Sequence, residues 1–153
     1  MLRSLDLFEA HLTVSNLDRA MKFYGDVLNL PLAHVLRERG VAFYWIGERG
    51  RSMLGIWETG SSPVRISGHT AFAADIAQVD CWADQLRRAG ITPLDFDGRP
   101  TTEPVVLAWM PAASIYFRDP DGNSLEFIAM LDDAPAPDLG VVSWSDWSSM
   151  AKR

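Results

Sequence analysis

Three side chains that commonly bind divalent metals lie in separate short segments of the 153-residue sequence. His11 lies in FEAHLTV, His69 in GHTAF and Glu126 in SLEFI. Each segment is short and mostly apolar, which is typical of a β-strand, and an unpaired polar group buried there would be costly. Two imidazoles and one carboxylate on strands suit a divalent ion that keeps open coordination positions. We therefore expect a metal site, provided that the fold brings these segments together.

Composition limits the class of protein. A chain of 153 residues suits one domain or two small modules that share a core, and 48% hydrophobic residues with 22% charged residues is ordinary for a globular protein. A net charge of −6 argues against nucleic acid or an anionic membrane as a partner. The single Cys81 cannot form an internal disulfide, and neither a signal peptide nor a membrane-spanning run is recognisable. We expect a cytoplasmic protein that binds a small molecule.

The first half of the sequence predicts a strand, a helix and three more strands. The opening strand covers 7–14, with Glu9, His11 and Thr13 on one face. Asn16 can cap the helix that follows, in which apolar residues recur at helical spacing up to Leu28. Further strands are predicted at 32–38, 41–47 and 52–58, and a linker at 60–63.

The second half repeats this order. The pattern predicts a strand at 68–75, a helix at 79–89, a short strand near 92–97, a long loop at 98–111, and a hairpin of 113–118 and 124–130. The turn of the hairpin contains Pro120 and Gly122, which are typical turn residues. We interpret the two halves as an internal duplication.

The duplication gives the candidate ligands corresponding positions. His11 and His69 fall on the first strands of the two halves, and the last strands align so that Gly55 corresponds to Glu126. A single histidine in a strand is more often an ordinary core residue than a metal ligand. His34 lies outside the motif positions and is interpreted as an ordinary strand or surface residue. The metal hypothesis for His11 and His69 depends on their matching positions and on Glu126.

The last segment, 132–153, has a different character. A stretch rich in Asp, Ala and Pro reads as a semi-rigid spacer, and Ser143 or Ser145 can cap a short final helix. That helix would carry Trp144 and Trp147 on one face. Because two exposed tryptophans would be unfavourable, we expect this tail to dock on the body of the protein or on a partner subunit.

These motifs, taken in order, resemble the vicinal oxygen chelate superfamily, which includes glyoxalase I, fosfomycin-resistance enzymes, extradiol dioxygenases and bleomycin-resistance proteins. Asn29 stands where relatives commonly have a glycine after the first helix. The resemblance spans about 7–131, and the matching pieces are His11-Leu12-Thr13-Val14, the helix ending in Phe23-Tyr24, Gly68-His69, and Tyr116 to Gly122 followed by Leu125-Glu126.

The resemblance implies an α+β fold of two β-α-β-β-β modules whose curled sheets form a cup. It implies a single domain over 1–131, with modules at about 6–60 and 68–131, and a tail at 132–153. One divalent metal ion per site (Zn, Ni, Mn, Co or Fe) would be held by His11, His69 and Glu126, often from two subunits of a homodimer. The family's fourth ligand position falls on Gly55, which offers no side chain.

Several further residues are candidates for the site. Tyr116 is expected opposite Glu126 if Arg118 pairs with Ser124, and its hydroxyl could assist catalysis; a packed core tyrosine is the alternative. Thr13 shares the face of His11 and matches a substrate-contacting position in fosfomycin-resistance relatives, although an ordinary strand threonine is the alternative. The candidate walls for a substrate are Trp45, Trp57 and Trp109, with core packing as the alternative for Trp57.

Ligand type alone leaves the reaction open. The ion could act as a Lewis acid toward a substrate bound through two oxygens, or as an iron centre for oxygen chemistry. A glyoxalase-like lyase or isomerase is the leading hypothesis; an extradiol-type dioxygenase and a non-catalytic binding or resistance protein are the alternatives. Residues 101–111 contain no basic residue, which argues against a phosphonate substrate, while Gly55 weakens a strict glyoxalase I assignment.

Overall fold

The computed structural model describes residues 7–59 and 67–151, so the linker predicted at 60–63 lies outside the described residues. Within them the chain forms two β-sheets with few helices, as the predicted α+β class requires. It divides into two compact units. The first comprises Met1–Thr70 together with Asp119–Asn123, and the second comprises Ala71–Arg118 and Ser124–Arg153. No helix in the described part of the chain is long and apolar enough to cross a membrane.

The first sheet contains four strands in the order β1-β4-β3-β2. Strand β1 runs parallel to β4, and the other neighbours are antiparallel. On β1 the burial alternates, with Leu12 and Val14 in the core and His11 exposed, as the period of two predicts. The strands are β1 (Glu9–Val14), β2 (Leu32–Leu36), β3 (Val41–Ile46) and β4 (Ser52–Glu58).

The helix of the first sheet begins as predicted and ends in a wider turn. Helix α1 (Leu17–Met21) follows Asn16, whose side chain accepts a hydrogen bond from the Arg19 amide at 2.8 Å. It continues as a π-helical segment, Lys22–Val27. Asn29 then adopts a φ of 53°, a left-handed conformation that asparagine tolerates better than most residues, which explains why it can replace glycine there.

The second sheet contains five strands in the order β5-β8-β7-β6-β9. A 3₁₀ turn, Ile76–Cys81, leads into helix α2 (Trp82–Arg88), which buries Trp82 and Leu86. The strands are β5 (His69–Ala73), β6 (Val105–Leu107), β7 (Ala112–Arg118), β8 (Ser124–Met130) and β9 (Val141–Ser143).

The predicted strand near 92–97 and the predicted loop at 98–111 are both wrong in part. Leu94 makes a single bridge to Tyr116, and the second strand of this half is β6, inside the predicted loop. One edge of β7 therefore pairs with two separate pieces of chain. Residues 95–104 leave the sheet between these pieces, at a place where Gly98 and Pro100 interrupt regular extension.

The tail docks on the second sheet, as its tryptophans predicted, and adds a strand that was not predicted. Strand β9 pairs with the outer edge of β6, and helix α3 (Trp144–Ala151) follows directly. The Ser143 hydroxyl accepts a hydrogen bond from the Asp146 amide, so Ser143 is the cap. Trp147 is 7% exposed and packs with Val106 and Ala108.

Candidate metal and substrate site

His11 lies at one end of a row of paired residues that crosses the first sheet. It pairs with Gly55 on β4, which pairs with Phe43 on β3, which in turn pairs with His34 on β2. The imidazole is 45% exposed in this chain, so it is not a buried core residue. His34 is also exposed, in agreement with the interpretation of it as a surface residue.

Both ring nitrogens of His11 have close partners. The indole N–H of Trp57 donates a hydrogen bond to Nδ1 at 2.7 Å, and Nε2 lies 3.2 Å from Oε1 of Glu9. The planes of the imidazole and indole are inclined by 19°, with centroids 5.7 Å apart. This pairing was not predicted from the sequence, in which Trp57 is a candidate only for a wall of the cup or for the core.

Gly55 leaves room for two aromatic rings. A Cβ atom at this position would lie 3.2 Å from Cε1 of Phe43 and 3.4 Å from both Cδ2 and Nε2 of His11. The two rings meet edge to face at a centroid distance of 6.3 Å. A side chain in this place would require the Phe43 ring to shift by a few tenths of an ångström, so the geometry agrees with a site that lacks the fourth ligand.

The other candidates of the first sheet lie in the rows on either side of the row of His11. Thr13 on β1 pairs with Trp57 on β4 and is partly buried. The guanidinium carbon of Arg39 lies 5.0 Å from the Trp57 ring centroid, a distance typical of a cation–π contact. Trp45 is partly buried and pairs with Met53 on β4. It lies two residues after Phe43 along β3, so the two side chains are on the same face of the sheet.

In the second unit, Tyr116 and Glu126 occupy paired positions of β7 and β8. Arg118 pairs with Ser124, so the register predicted from the turn is confirmed. Glu126 is 4% exposed, and the Tyr116 side chain is hydrogen-bonded to it. Burial, followed by the charge of Glu126 and this hydrogen bond, raises the pKa of Tyr116 well above its ordinary value. The phenol therefore stays protonated, and its hydroxyl is the donor.

Two aromatic side chains stand beside Tyr116. Phe96 is 51% exposed, with its ring centroid 6.1 Å from that of Tyr116 and 6.0 Å from that of Trp109. Trp109 is 42% exposed. Phe96 was missed because the segment around it was predicted as a strand with no special role. The feature of the sequence that could have indicated Phe96 is its position as an apolar aromatic residue between two acidic residues, Asp95 and Asp97.

His69 is exposed at the start of β5, directly after a glycine that the packing requires. A Cβ on Gly68 would come within 2.6 Å of Leu12, so a larger residue could not occupy this position without a shift. The Gly68 amide donates to Oδ1 of Asn123 at 2.9 Å, and Nδ2 of Asn123 donates to the Thr13 carbonyl at 3.0 Å. Asn123 thus connects the backbone next to His69 with the strand of His11.

The predicted ligands are not assembled into one cluster within a chain. Among the described residues, no group of three or more His, Cys, Asp and Glu side chains lies close enough together to hold a metal ion. His11 and His69 are exposed rather than buried, contrary to the expectation from their apolar segments. The donor types suit a divalent ion, and Glu126 with its neighbouring phenol fits a ligand, whereas the partners of His11 engage both of its nitrogens.

The loop at 95–104, between Leu94 and β6, contains one basic residue that could bind a phosphonate. Arg99, the basic residue nearest to 101–111 on its N-terminal side, forms an ion pair with Asp97 at 2.9 Å, and its amide is bonded to Asp95. Arg99 therefore already has an acidic partner within the loop.

Comparisons with known proteins agree on one family. Residues 5–127 match the family model described as Glyoxalase/Bleomycin resistance protein/Dioxygenase superfamily. Over 121 residues the chain is 36% identical to metallothiol transferase FosB of Shouchella clausii (strain KSM-K16), covering 76% of this chain and 75% of that protein.

Two solved structures illustrate the shared fold. An integron cassette protein from the mobile metagenome of the Halifax Harbour sewage outfall is 27% identical, with a TM-score of 0.69 over 82% of this chain and 98% of that one. Lactoylglutathione lyase from Agrobacterium tumefaciens is 26% identical, with a TM-score of 0.62 over 83% and 95% of the two chains.

Proposed function

The chain belongs to the Glyoxalase/Bleomycin resistance protein/Dioxygenase superfamily, and from this premise we propose that it is a divalent-metal-dependent enzyme with glyoxalase-like lyase or isomerase activity. Its substrate would be a small oxygenated molecule. The ligands we assign are His11, His69 and Glu126. We also propose a homodimer in which these ligands come from two subunits, because the described part of one chain contains no metal-binding cluster.

The observation that carries the proposal is the pairing of Tyr116 with Glu126. A carboxylate that is 4% exposed is costly to bury unless a charge or strong donors stabilise it. A phenol bonded to it stays protonated, so it can donate to a carboxylate or to a substrate oxygen placed beside the carboxylate. This pair of groups suits a site where negative charge develops on a substrate oxygen.

In this site each side chain has a separate task. A bound divalent ion would supply Lewis acidity toward substrate oxygens. The Tyr116 hydroxyl would hold a proton next to the reacting oxygen, and Thr13 would offer a second hydroxyl. Phe96 and Trp109 in the second unit, and Trp57 and Trp45 on the first sheet, would exclude water and contact the apolar part of the substrate.

The walls of the site favour a partly apolar substrate. The side chains next to Tyr116 are aromatic, and Arg99 is ion-paired with Asp97. A phosphonate would need several free donors or cations, which the loop at 101–111 does not supply. We therefore expect a substrate with two adjacent oxygens and an apolar or aromatic body.

A second candidate is transfer of a thiol to a metal-bound substrate. The relative with 36% identity is named as a metallothiol transferase, and the lyase with the same fold is named for a glutathione conjugate. A thiol co-substrate is the feature that these two names share. Assays with and without a low-molecular-weight thiol distinguish transfer from isomerisation of a preformed adduct.

The proposal is tested first by metal content. Protein purified without chelators should contain close to one divalent ion per chain, and His11→Ala or Glu126→Gln should lower the affinity at least about 100-fold, since even an indirect partner of a ligand typically contributes 10–100-fold. His34→Ala is the matched control, because His34 is an exposed histidine of the same sheet row. Its affinity should equal that of the wild type.

The reaction is then tested by substrate class. Metal-loaded protein should be assayed with 2-oxoaldehyde–thiol adducts, with epoxides in the presence of thiol, and with catechols. We expect turnover of the first class with several divalent metals. Turnover of catechols with Fe(II) alone would replace the proposal by a dioxygenase, and a protein that cannot be loaded with metal would leave a binding function.

A further inference from the structure

The hydrogen bond between Trp57 and His11 determines where the imidazole carries its proton. The indole nitrogen can donate but cannot accept, so Nδ1 of His11, 2.7 Å away, must present a lone pair. The single proton of a neutral His11 then lies on Nε2. This nitrogen lies 3.2 Å from a carboxylate oxygen of Glu9. An ionised carboxylate accepts hydrogen bonds but does not donate them.

This arrangement is opposite to the one that a histidine ligand usually has. A metal-binding imidazole offers the lone pair of one nitrogen to the ion and donates the N–H of the other to a carboxylate, carbonyl or water. Here a donor faces Nδ1 and an acceptor faces Nε2. For Nε2 to bind an ion, the proton must move to Nδ1. The N–H of Nδ1 and the N–H of Trp57 would then face each other, 2.7 Å apart between their nitrogens, with no acceptor between them.

Trp57 is held in this position from several sides. Its strand residue pairs with Thr13 on one side and with Val41 on the other. Its ring packs edge to face on Phe43 at 6.4 Å and carries the guanidinium of Arg39 at 5.0 Å. A rotation of the indole away from His11 would cost these contacts, so the hydrogen bond is not an incidental contact of a mobile side chain.

We infer that Trp57 is a positioning residue that holds His11 in the Nε2–H tautomer, and that metal binding at His11 requires the loss of the Trp57 hydrogen bond. Trp57 therefore weakens metal affinity and is displaced when the ion enters. The part of this inference that concerns metal rests on the proposed function. The part that concerns the tautomer rests on the geometry of Trp57, His11 and Glu9.

The test uses nitrogen NMR and metal titration of the full chain. In metal-free wild type, Nδ1 of His11 should show the ¹⁵N shift of a lone-pair nitrogen, and the indole N–H of Trp57 should be shifted downfield by its hydrogen bond. Saturation with Zn²⁺ should remove the downfield shift of the indole proton. Trp57→Phe should bind Zn²⁺ roughly 5-fold more tightly, the factor expected from removing one ordinary hydrogen bond.

Trp144→Phe is the matched control, because Trp144 is a partly buried indole outside the proposed site whose N–H also donates a hydrogen bond at 2.7 Å, in its case to Asp80. Its Zn²⁺ affinity should stay within twofold of the wild type. Equal affinities for the wild type and Trp57→Phe, or a bound metal with the Trp57 indole signal unchanged, would overturn the inference about metal.

The two proposals fail in distinguishable ways. A protein that binds no metal would refute the proposed function. The ¹⁵N shift of His11 would still decide the tautomer, since an N–H shift at Nδ1 refutes it and a lone-pair shift supports it. The wild-type spectrum also keeps the inference testable if Trp57→Phe does not fold.

Discussion

The hydroxyl of Tyr116 is hydrogen-bonded to the carboxylate of Glu126 across directly paired positions of β7 and β8. The pairing of the two strands fixes the separation of the phenol and the carboxylate. Because Glu126 is buried and Tyr116 only half-buried, a substrate could reach the phenol without displacing the carboxylate. This relationship makes Tyr116 the first residue to change in a test of the chemistry.

Tyr116→Phe should lower kcat by about 100-fold while leaving metal affinity within a few fold of the wild type. The phenol would be lost as a proton donor, a role that typically contributes 10²–10⁴-fold, whereas Glu126 would remain as a ligand. Steady-state kinetics and a metal titration on the same preparation check this. A loss of metal binding with kcat unchanged in the loaded fraction would instead make Tyr116 a support for Glu126.

The three tyrosines should remain protonated to unusually high pH. Burial is the largest cause of the raised pKa at Tyr24, Tyr44 and Tyr116, and a nearby carboxylate is the next in each case. The folded protein holds these protons more tightly than the unfolded chain does. The tyrosines therefore leave the free energy of unfolding unchanged below about pH 10 and lower it as the pH rises further.

Absorbance of tyrosinate near 295 nm and urea denaturation between pH 8 and pH 11.5 check this expectation. Tyr24→Phe should reduce the alkaline loss of stability, because the buried Tyr24 hydroxyl donates to Asp119 at 2.9 Å. Ionisation of all three tyrosines at about pH 10 in folded protein would contradict it.

Asp119 should be a principal source of stability in the first unit. Its carboxylate accepts hydrogen bonds from the Tyr24 hydroxyl, from the Asn123 amide and side chain, and from the Asp121 amide. Asp119→Ala leaves these donors without their acceptor and should cost about 3 kcal/mol or more of the free energy of unfolding. Tyr24→Phe removes one donor and should cost about 1–2 kcal/mol, so urea denaturation should rank the two variants in this order.

The hairpin of β7 and β8 was predictable because its register follows from its turn. Pro120 and Gly122 fix where the chain reverses, and the period of two then places Tyr116 opposite Glu126. The alternation on β1 likewise predicted that His11 and Thr13 share a face. Local chemistry determines each of these features.

The site features that were missed depend on contacts between distant segments. The second strand of the second half could not be located, because Leu94 and β6 both pair with β7. The pairing with β7 is what shows that the residues between them leave the sheet. Phe96 lies next to Tyr116 for the same reason. The partner of His11 was missed because its indole reaches across from β4.

Gly55→Ala should disturb the site more than its size suggests. The added methyl group would come within 3.2 Å of Phe43, so that ring must shift by a few tenths of an ångström, and it would contact the His11 ring at 3.4 Å. We expect a loss of roughly 1 kcal/mol in stability and a measurable change in metal affinity. Gly25→Ala is the control, since its Cβ would make ordinary contacts at 3.6–3.7 Å with Tyr44. Equal stability of both variants would show that the rings adapt freely.

The C-terminal helix should contribute directly to the stability of the second unit. Trp147 is 7% exposed against Val106 and Ala108, so Trp147→Ala should cost about 3–5 kcal/mol in the free energy of unfolding. Met150→Ala, on the same helix but 43% exposed, should change stability by less than about 0.5 kcal/mol. Urea denaturation measures both values, and amide exchange at β6 should accelerate in Trp147→Ala, because β9 pairs with that strand. A Trp147→Ala variant as stable as Met150→Ala would mean that the tail does not dock on this sheet in solution.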